Sequence, residues 1–270
     1  MRPSADILAG KNKLALRNLI RKGGFVGVRM IRAVLFDYGG TLVRPLKPWE
    51  EVKPVAFEVP YALLCRRGLK KSYSEYEALD KSVFDRYYEL ETKTDSDIPD
   101  IKKYCELIDT LFPRNSKAWR ERTAAEANRA FWDFAKANYV LQKGTLRCLS
   151  RLKSMKLRLA VISNHHDRKA LTDHLSQLDV KSYFTRIIVS SSVGFRKPDP
   201  RIFAMCLSNL RVKPSEAVFV GDSIEYDVLG AKGAGMKTIL ISDDAHATQP
   251  EKSDFAIASL AEVPRIVSSL

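Results

Sequence analysis

The sequence predicts an α/β protein: a parallel-sheet core interrupted by an all-helical insert. Three observations support this. From Gly144 onward, short runs of apolar β-formers alternate with helical patterns, the signature of a parallel sheet covered on both faces. Another such run, Val34-Leu35-Phe36, lies far upstream and stops at Asp37, just before Gly39 and Gly40. Residues 46–139, between the two, show helical periodicity and enough aromatic side chains for a small core of their own.

The first strand ends at Asp37, and Val43 to Trp49 reads as a linker leaving the sheet because it contains Pro45 and Pro48. Helices are expected at Phe57–Leu69, Tyr73–Leu90 and Trp119–Tyr139, separated by polar turns at Thr94–Asp100 and Pro113–Ser116. Further strands are expected at Leu157–Ser163, Arg186–Ser190, Ala217–Val220 and Lys237–Ile241. The intervening helices fall at Thr145–Met155, Arg168–Leu178, Pro200–Leu210 and Ile224–Ala234. Asp199-Pro200 is a strong helix start, because aspartate accepts from free N–H groups and proline suits the first helical position; Asp167 can cap its helix in the same way. The expected division is a leader (1–29), a core (30–45 and 140–270) and a helical insert (46–139).

At 270 residues and 45% hydrophobic content the chain can bury a substantial core. Cys65, Cys105, Cys148 and Cys206 are scattered, with no zinc spacing, as expected of reduced cysteines in a cytoplasmic protein. No run approaches the roughly 18 apolar residues that a membrane span needs. The net charge of +13 raises the question of nucleic acid, but residues 1–29 hold seven basic residues against Asp6, a net of +6. That leader has Leu16, Leu19 and Ile20 on one possible helical face before Gly23 and Gly24. It can meet an anionic membrane, act as a targeting segment or bind nucleic acid, or it can be dispensable, since Met30 stands directly before the first strand as an alternative start. Oligomeric state is not legible.

In a parallel sheet with helical crossovers, the strand ends lie along one edge. That edge collects Asp37, then Ser163-Asn164, then Arg196-Lys197-Pro198-Asp199 after the third strand, then Gly221-Asp222-Ser223 with Asp227 one turn on. The grouping suits phosphoryl chemistry. A carboxylate can attack phosphorus, a lysine can neutralise developing charge, and a hydroxyl with main-chain N–H groups can hold phosphate oxygens. Several carboxylates beside one another call for a divalent cation, and oxygen-only ligands with a phosphate substrate point to Mg²⁺.

With these residues in order, the chain resembles the haloacid dehalogenase superfamily from about Ile31 to its end. The matching motifs are Asp37 to Thr41, Ser163, Lys197, and Gly221-Asp222 through Asp227, with Gly144 ahead of the second strand and Phe255-Ala256-Ile257 as a late edge strand. The resemblance implies a Rossmann-like core with a helical cap inserted between the first and second motifs. It implies Asp37 as the nucleophile forming an aspartyl-phosphate and Lys197 as charge stabiliser. Gly40, Thr41, Ser163 and Asn164 would be phosphate-holding groups, with Thr41 also supporting the nucleophile loop. The Mg²⁺ ligands would be Asp37, the Gly39 carbonyl, Asp222 and Asp227, with Asp227 as ligand or support.

One position departs from the pattern. Similar phosphatases carry an aspartate two residues after the nucleophile, which protonates the leaving oxygen and then activates water; here that residue is Gly39. General acid–base help is worth about 10²- to 10⁴-fold in rate. The expected function is a Mg²⁺-dependent phosphohydrolase acting on a small phosphorylated metabolite without that acid, aided by a good leaving group. Two alternatives stand beside it. One is carbon–halogen or carbon–phosphorus cleavage, for which Tyr38 sits one residue from the dehalogenase tyrosine and Lys70 and Lys71 are imine-former candidates, although surface lysines explain both. The other is a weakened scaffold with a binding or regulatory role. His165 and His166 follow Asn164 and read as partly exposed loop residues, or else as proton relays. Arg196 reads as a solvated or salt-bridged side chain rather than a phosphate clamp.

Overall fold

A computed structural model of the chain describes residues 30–242 and 253–270. The leader's expected helix lies outside these residues. β1 (Ala33–Phe36), with all four residues buried, is the central strand. On one side it pairs with β4 (Arg158–Ser163), which pairs with β5 (Arg186–Val189). On the other it pairs with β6 (Ala217–Gly221), followed by β7 (Lys237–Ile241) and β8 (Phe255–Ile257). Every pairing is parallel, giving the order β5-β4-β1-β6-β7-β8. The fold is therefore the α/β, Rossmann-like core that the sequence predicts.

Strands buried on both faces need helices on both, and alternate residues of β1 divide accordingly. Val34 and Phe36 join one apolar cluster with Leu149 and Leu152 of α5 (Thr145–Ser154) and Leu171 and Leu175 of α6 (Arg168–Gln177). Ala33 and Leu35 join the opposite cluster with Ile202, Phe203 and Cys206 of α7 (Pro200–Leu210). Both expected aspartate caps are present. Asp167 accepts from the Ala170 N–H at 2.8 Å and Asp199 from the Arg201 N–H at 2.8 Å.

The insert contains four helices: α1 (Trp49–Arg66), α2 (Tyr73–Thr94), α3 (Asp100–Leu111) and α4 (Lys117–Lys136). They bury a separate cluster that includes Tyr76, Tyr104, Leu107, Ile108 and Phe131. Three differences from the sequence reading have physical reasons. α1 starts eight residues early because its helical path tolerates Pro54 and the buried Pro60. α3, absent from that reading, carries buried Asp100 and Lys103 beside Tyr104, so its apolar stripe is broken by charge. The linker after Asp37 is instead β2 (Val43–Pro45), paired antiparallel with β3 (Tyr139–Leu141); Pro45 is acceptable in so short an edge ribbon. The two chain crossings between core and insert are thus hydrogen-bonded to each other.

The expected helix at Ile224–Ala234 is a π-helical turn (Ile224–Leu229) followed by a short α8 (Gly230–Gly233). The N–H groups of Asp227 and Val228 both donate to the Ser223 carbonyl at 3.1 Å, which widens the turn that carries Asp227. The C-terminal α9 (Val263–Ser268) packs near α5. None of the described helices is long and apolar enough to cross a membrane.

Candidate active site

β1, β4 and β6 are in register, so their C-terminal ends bring Asp37, Ser163 and Gly221 to one edge of the sheet. The Asp37 N–H continues the ladder, donating to the Val220 carbonyl at 2.9 Å. The chain then turns sharply. The Leu42 and Val43 N–H groups both donate to the Tyr38 carbonyl, at 2.9 and 3.0 Å, and Gly40 adopts a φ of +77°. A Cβ at Gly40 would sit 2.2 Å from Asp222 Oδ2, so only glycine lets these two loops meet. Gly221 is constrained in the same way, since its Cβ would lie 2.4 Å from the Asp227 carboxylate.

Above this edge is a cavity of about 380 Å³ lined by Asp37, Gly39, Asn164, Lys197, Asp222 and Asp227 from the core and by Trp132, Ala135, Lys136 and Tyr139 from the insert side. Lys197 is 2% exposed, and its Nζ lies 2.5 Å from Asp37 Oδ1 and 2.6 Å from Asp227 Oδ1. Asp227 is held on its other oxygen by the Ser223 N–H at 3.0 Å. Asp222 stands at the exposed mouth, one oxygen accepting from Thr41 Oγ1 at 3.0 Å.

The sequence-derived residues therefore separate by position. Six of them face the cavity. Thr41 is fully buried behind Asp222, Gly40 backs the same carboxylate, and Ser163 is buried at the end of β4 outside the cavity lining. Asn164 grips the main chain of Lys197, its Nδ2 donating to the Lys197 carbonyl at 2.9 Å and its Oδ1 accepting from the Lys197 N–H at 2.8 Å. Its amide thus orients the lysine and keeps a single N–H for any other acceptor.

The charges explain one another. Burial pushes the Asp37 carboxyl up to about 7, with further upward push from Asp227 and Asp222, and Lys197 only partly opposes this. Burial would deprotonate Lys197, but Asp37 and Asp227 raise it and keep it an ammonium. Three carboxylates thus share one lysine. Oxygens of Asp37, Asp222 and Asp227 lie within 4.8 Å of one another, and the Gly39 carbonyl accepts no hydrogen bond among the described residues. An all-oxygen, excess-negative donor set fits a hard divalent cation such as Mg²⁺.

The two histidines differ. His165 stacks on Trp132, with ring centroids 4.4 Å apart, and its Nδ1 accepts from the Asp167 N–H at 3.0 Å. Burial lowers its pKa to about 4, with His166 adding to the effect, so it is neutral near pH 7 and is no cationic relay. His166 Nδ1 lies 3.3 Å from Glu91 Oε1. Burial would lower its pKa as well, but the Glu91 hydrogen bond and the charges of Asp100 and Glu91 raise it. Arg196 is salt-bridged to buried Asp97 at 2.9 Å and stands away from the cavity lining.

Sequence reasoning missed the insert's contribution: Trp132, Lys136 and Tyr139 belong to a stretch read only as helix core. It also missed His174, whose Nδ1 hydrogen-bonds the Tyr38 hydroxyl beneath the nucleophile. Neither has a motif. Only placement of α4 and β3 over the sheet edge reveals them.

A family model described as haloacid dehalogenase-like hydrolase matches residues 31–235. Among curated proteins, a glyceraldehyde 3-phosphate phosphatase of Methanopyrus kandleri is 28% identical over 225 residues, covering 83% of this chain and 90% of that protein. The protein of the same name from Pyrococcus furiosus is 26% identical over 245 residues, covering 90% and 94%. Among solved structures, a 2-haloacid dehalogenase from Pseudomonas syringae superimposes with a TM-score of 0.69 at 20% identity, covering 89% of this chain and 99% of that one. At that identity the likeness concerns the fold alone.

Proposed function

The chain belongs to the haloacid dehalogenase-like hydrolases, and on that premise we propose that it is a Mg²⁺-dependent phosphohydrolase acting on a small phosphorylated metabolite. The observation that carries this reading is the position of Lys197, bonded to Asp37 at 2.5 Å and Asp227 at 2.6 Å inside a metabolite-sized cavity. The phosphatase names of the M. kandleri and P. furiosus relatives support it.

Asp37 attacks phosphorus through a carboxylate oxygen, the ester P–O bond breaks, and an aspartyl-phosphate remains. Water then attacks that phosphorus, the acyl P–O bond breaks, and Asp37 is regenerated with release of inorganic phosphate. Lys197, fixed through its main chain by Asn164 and through its ammonium by Asp227, offsets charge on the transferring group. Asp37, Asp222, Asp227 and the Gly39 carbonyl would hold Mg²⁺, which when bound screens the carboxylates from the anionic substrate. No side chain at position 39 can protonate the leaving oxygen. The wall histidine is neutral, with Nδ1 already accepting a hydrogen bond, so it does not supply the missing acid. Substrates with good leaving groups, such as acyl or aryl phosphates, are therefore favoured.

A panel of phosphomonoesters assayed with Mg²⁺ or EDTA, on wild type and on Asp37→Asn and Asp222→Asn, tests the reading. Turnover of an aryl phosphate that needs Mg²⁺ and disappears in both variants is the expected result. Absence of turnover across the panel would instead favour a binding or regulatory scaffold, the reading that Gly39 itself motivates. Carbon–phosphorus or carbon–halogen cleavage is disfavoured by side-chain placement. Lys70 and Lys71 are exposed on the insert, outside the cavity, and the Tyr38 hydroxyl is tied to His174.

A further inference from the structure

The cavity has two cationic ends. One is Lys197 beside Asp37. The other is Lys136, at the last turn of α4, whose side chain is only 10% exposed yet lines the cavity. Its one ion-pair partner, Asp133, lies 2.6 Å away but is 54% exposed and does not line that cavity, so water screens the carboxylate while the ammonium faces the enclosed space. One turn back on the same helix, Trp132 forms the adjoining wall, and its Nε1 is buried without a hydrogen-bond partner. A buried indole N–H ordinarily finds an acceptor. An ammonium and an unsatisfied N–H on one wall are both donors, and both suit an anion.

We propose that Lys136 and Trp132 form a second anion subsite at the insert end of the cavity, and that the substrate is a short-chain phosphomonoester carrying another anionic group, a carboxylate or a second phosphate. The inference rests on the phosphohydrolase reading above and adds what lies beyond the scissile phosphate. A volume of about 380 Å³ accommodates a metabolite of a few carbons with both groups engaged. Lys136 and Trp132 act on binding rather than on the bond that breaks, so they set specificity through KM.

The test compares 3-phosphoglycerate with glyceraldehyde 3-phosphate, which differ in carboxylate against aldehyde; a bisphosphorylated sugar acid reports on a second phosphate, and p-nitrophenyl phosphate serves as the control without a distal anion. Wild type is expected to favour an anion-bearing compound by about 10-fold or more in kcat/KM. Lys136→Met, which keeps the aliphatic stem, raises KM for that compound by about the same factor and leaves p-nitrophenyl phosphate kinetics unchanged. Lys136→Arg restores the preference. Equal use of the carboxylate and aldehyde forms, with no preference for the bisphosphate, overturns the subsite. So does a Lys136→Met effect that falls equally on the aryl phosphate. If no phosphomonoester turns over, the hydrolase reading fails and calorimetric titration of the same compounds decides the subsite alone. Tighter binding of an anion-bearing compound, erased by Lys136→Met, sustains it; equal or absent binding overturns it.

Discussion

Lys197 and Asp37, separated by 160 positions, meet at 2.5 Å in the protein interior, with exposures of 2% and 7%. The contact forms because β1 is central and the loop after β5 returns across the sheet edge, where Asn164 holds the main chain of Lys197 in place. It is also the only charge-compensating cation among the described residues that touches Asp37 or Asp227, since Lys136 is paired to Asp133 instead.

Lys197→Met should therefore lower both rate and stability. The variant leaves Asp37 and Asp227 buried without their cation, a loss on the order of 3–5 kcal/mol for a broken buried pair. Loss of charge stabilisation should lower kcat by about 10²- to 10³-fold. Urea unfolding and aryl-phosphate kinetics check the two separately. Unchanged stability would mean that the ion pair is not formed in solution.

Gly39 and Gly40 should respond oppositely to alanine. A Cβ at Gly39 meets nothing within 4 Å, so Gly39→Ala should shift stability by less than about 0.5 kcal/mol. At Gly40 the Cβ strikes the Asp222 carboxylate and the backbone has a φ of +77°. Gly40→Ala should cost at least about 1–2 kcal/mol for the left-handed residue alone and should weaken Mg²⁺ stabilisation in thermal melts.

A buried charge cluster joins the insert to the core, and it should make stability depend on pH. Glu91 lies 3.1 Å from Lys103 and 3.3 Å from His166, and Lys103 lies 3.0 Å from Asp100. Burial would raise the Glu91 pKa, but hydrogen bonds from His166 and the Ile98 N–H, with the charges of His166 and Lys103, hold it at about 2. Its contribution is present above the ordinary value of 4.5 and is lost as pH falls toward about 2. The His166 pKa is raised, so its contribution is complete below the ordinary 6.5 and is lost as pH rises through the higher folded value. The stability difference between wild type and Glu91→Gln should therefore peak between about pH 4.5 and 6.5 and shrink above that window, measured as the urea midpoint across pH. A pH-independent difference would contradict the His166–Glu91 pairing.

The core was legible in the sequence because its signals are local. β6, β7 and β8 begin at Ala217, Lys237 and Phe255 as expected, and the strand ends carry Asp37, Lys197 and Asp222 wherever the sheet places them. The insert was less legible because its determinants are tertiary. Lys103 and Asp100 look like surface residues in sequence and are buried only because Glu91 and His166 compensate them. Asn164 reads as a phosphate-holding group, yet its amide is engaged by a lysine 33 positions away, which no local pattern encodes.

The central claim is that Asp37 performs phosphoryl transfer in a site whose only missing part is the acid at position 39. Gly39→Asp tests it most directly, because the site has room for the new side chain. Rates with Mg²⁺ should be measured for wild type and variant on one aryl and one alkyl phosphate. The expected result is strong preference of wild type for the aryl ester, and a gain in Gly39→Asp of about 10²-fold or more confined mainly to the alkyl ester. Wild-type rates that do not depend on the leaving group, or a variant that gains nothing on the alkyl ester, would contradict it.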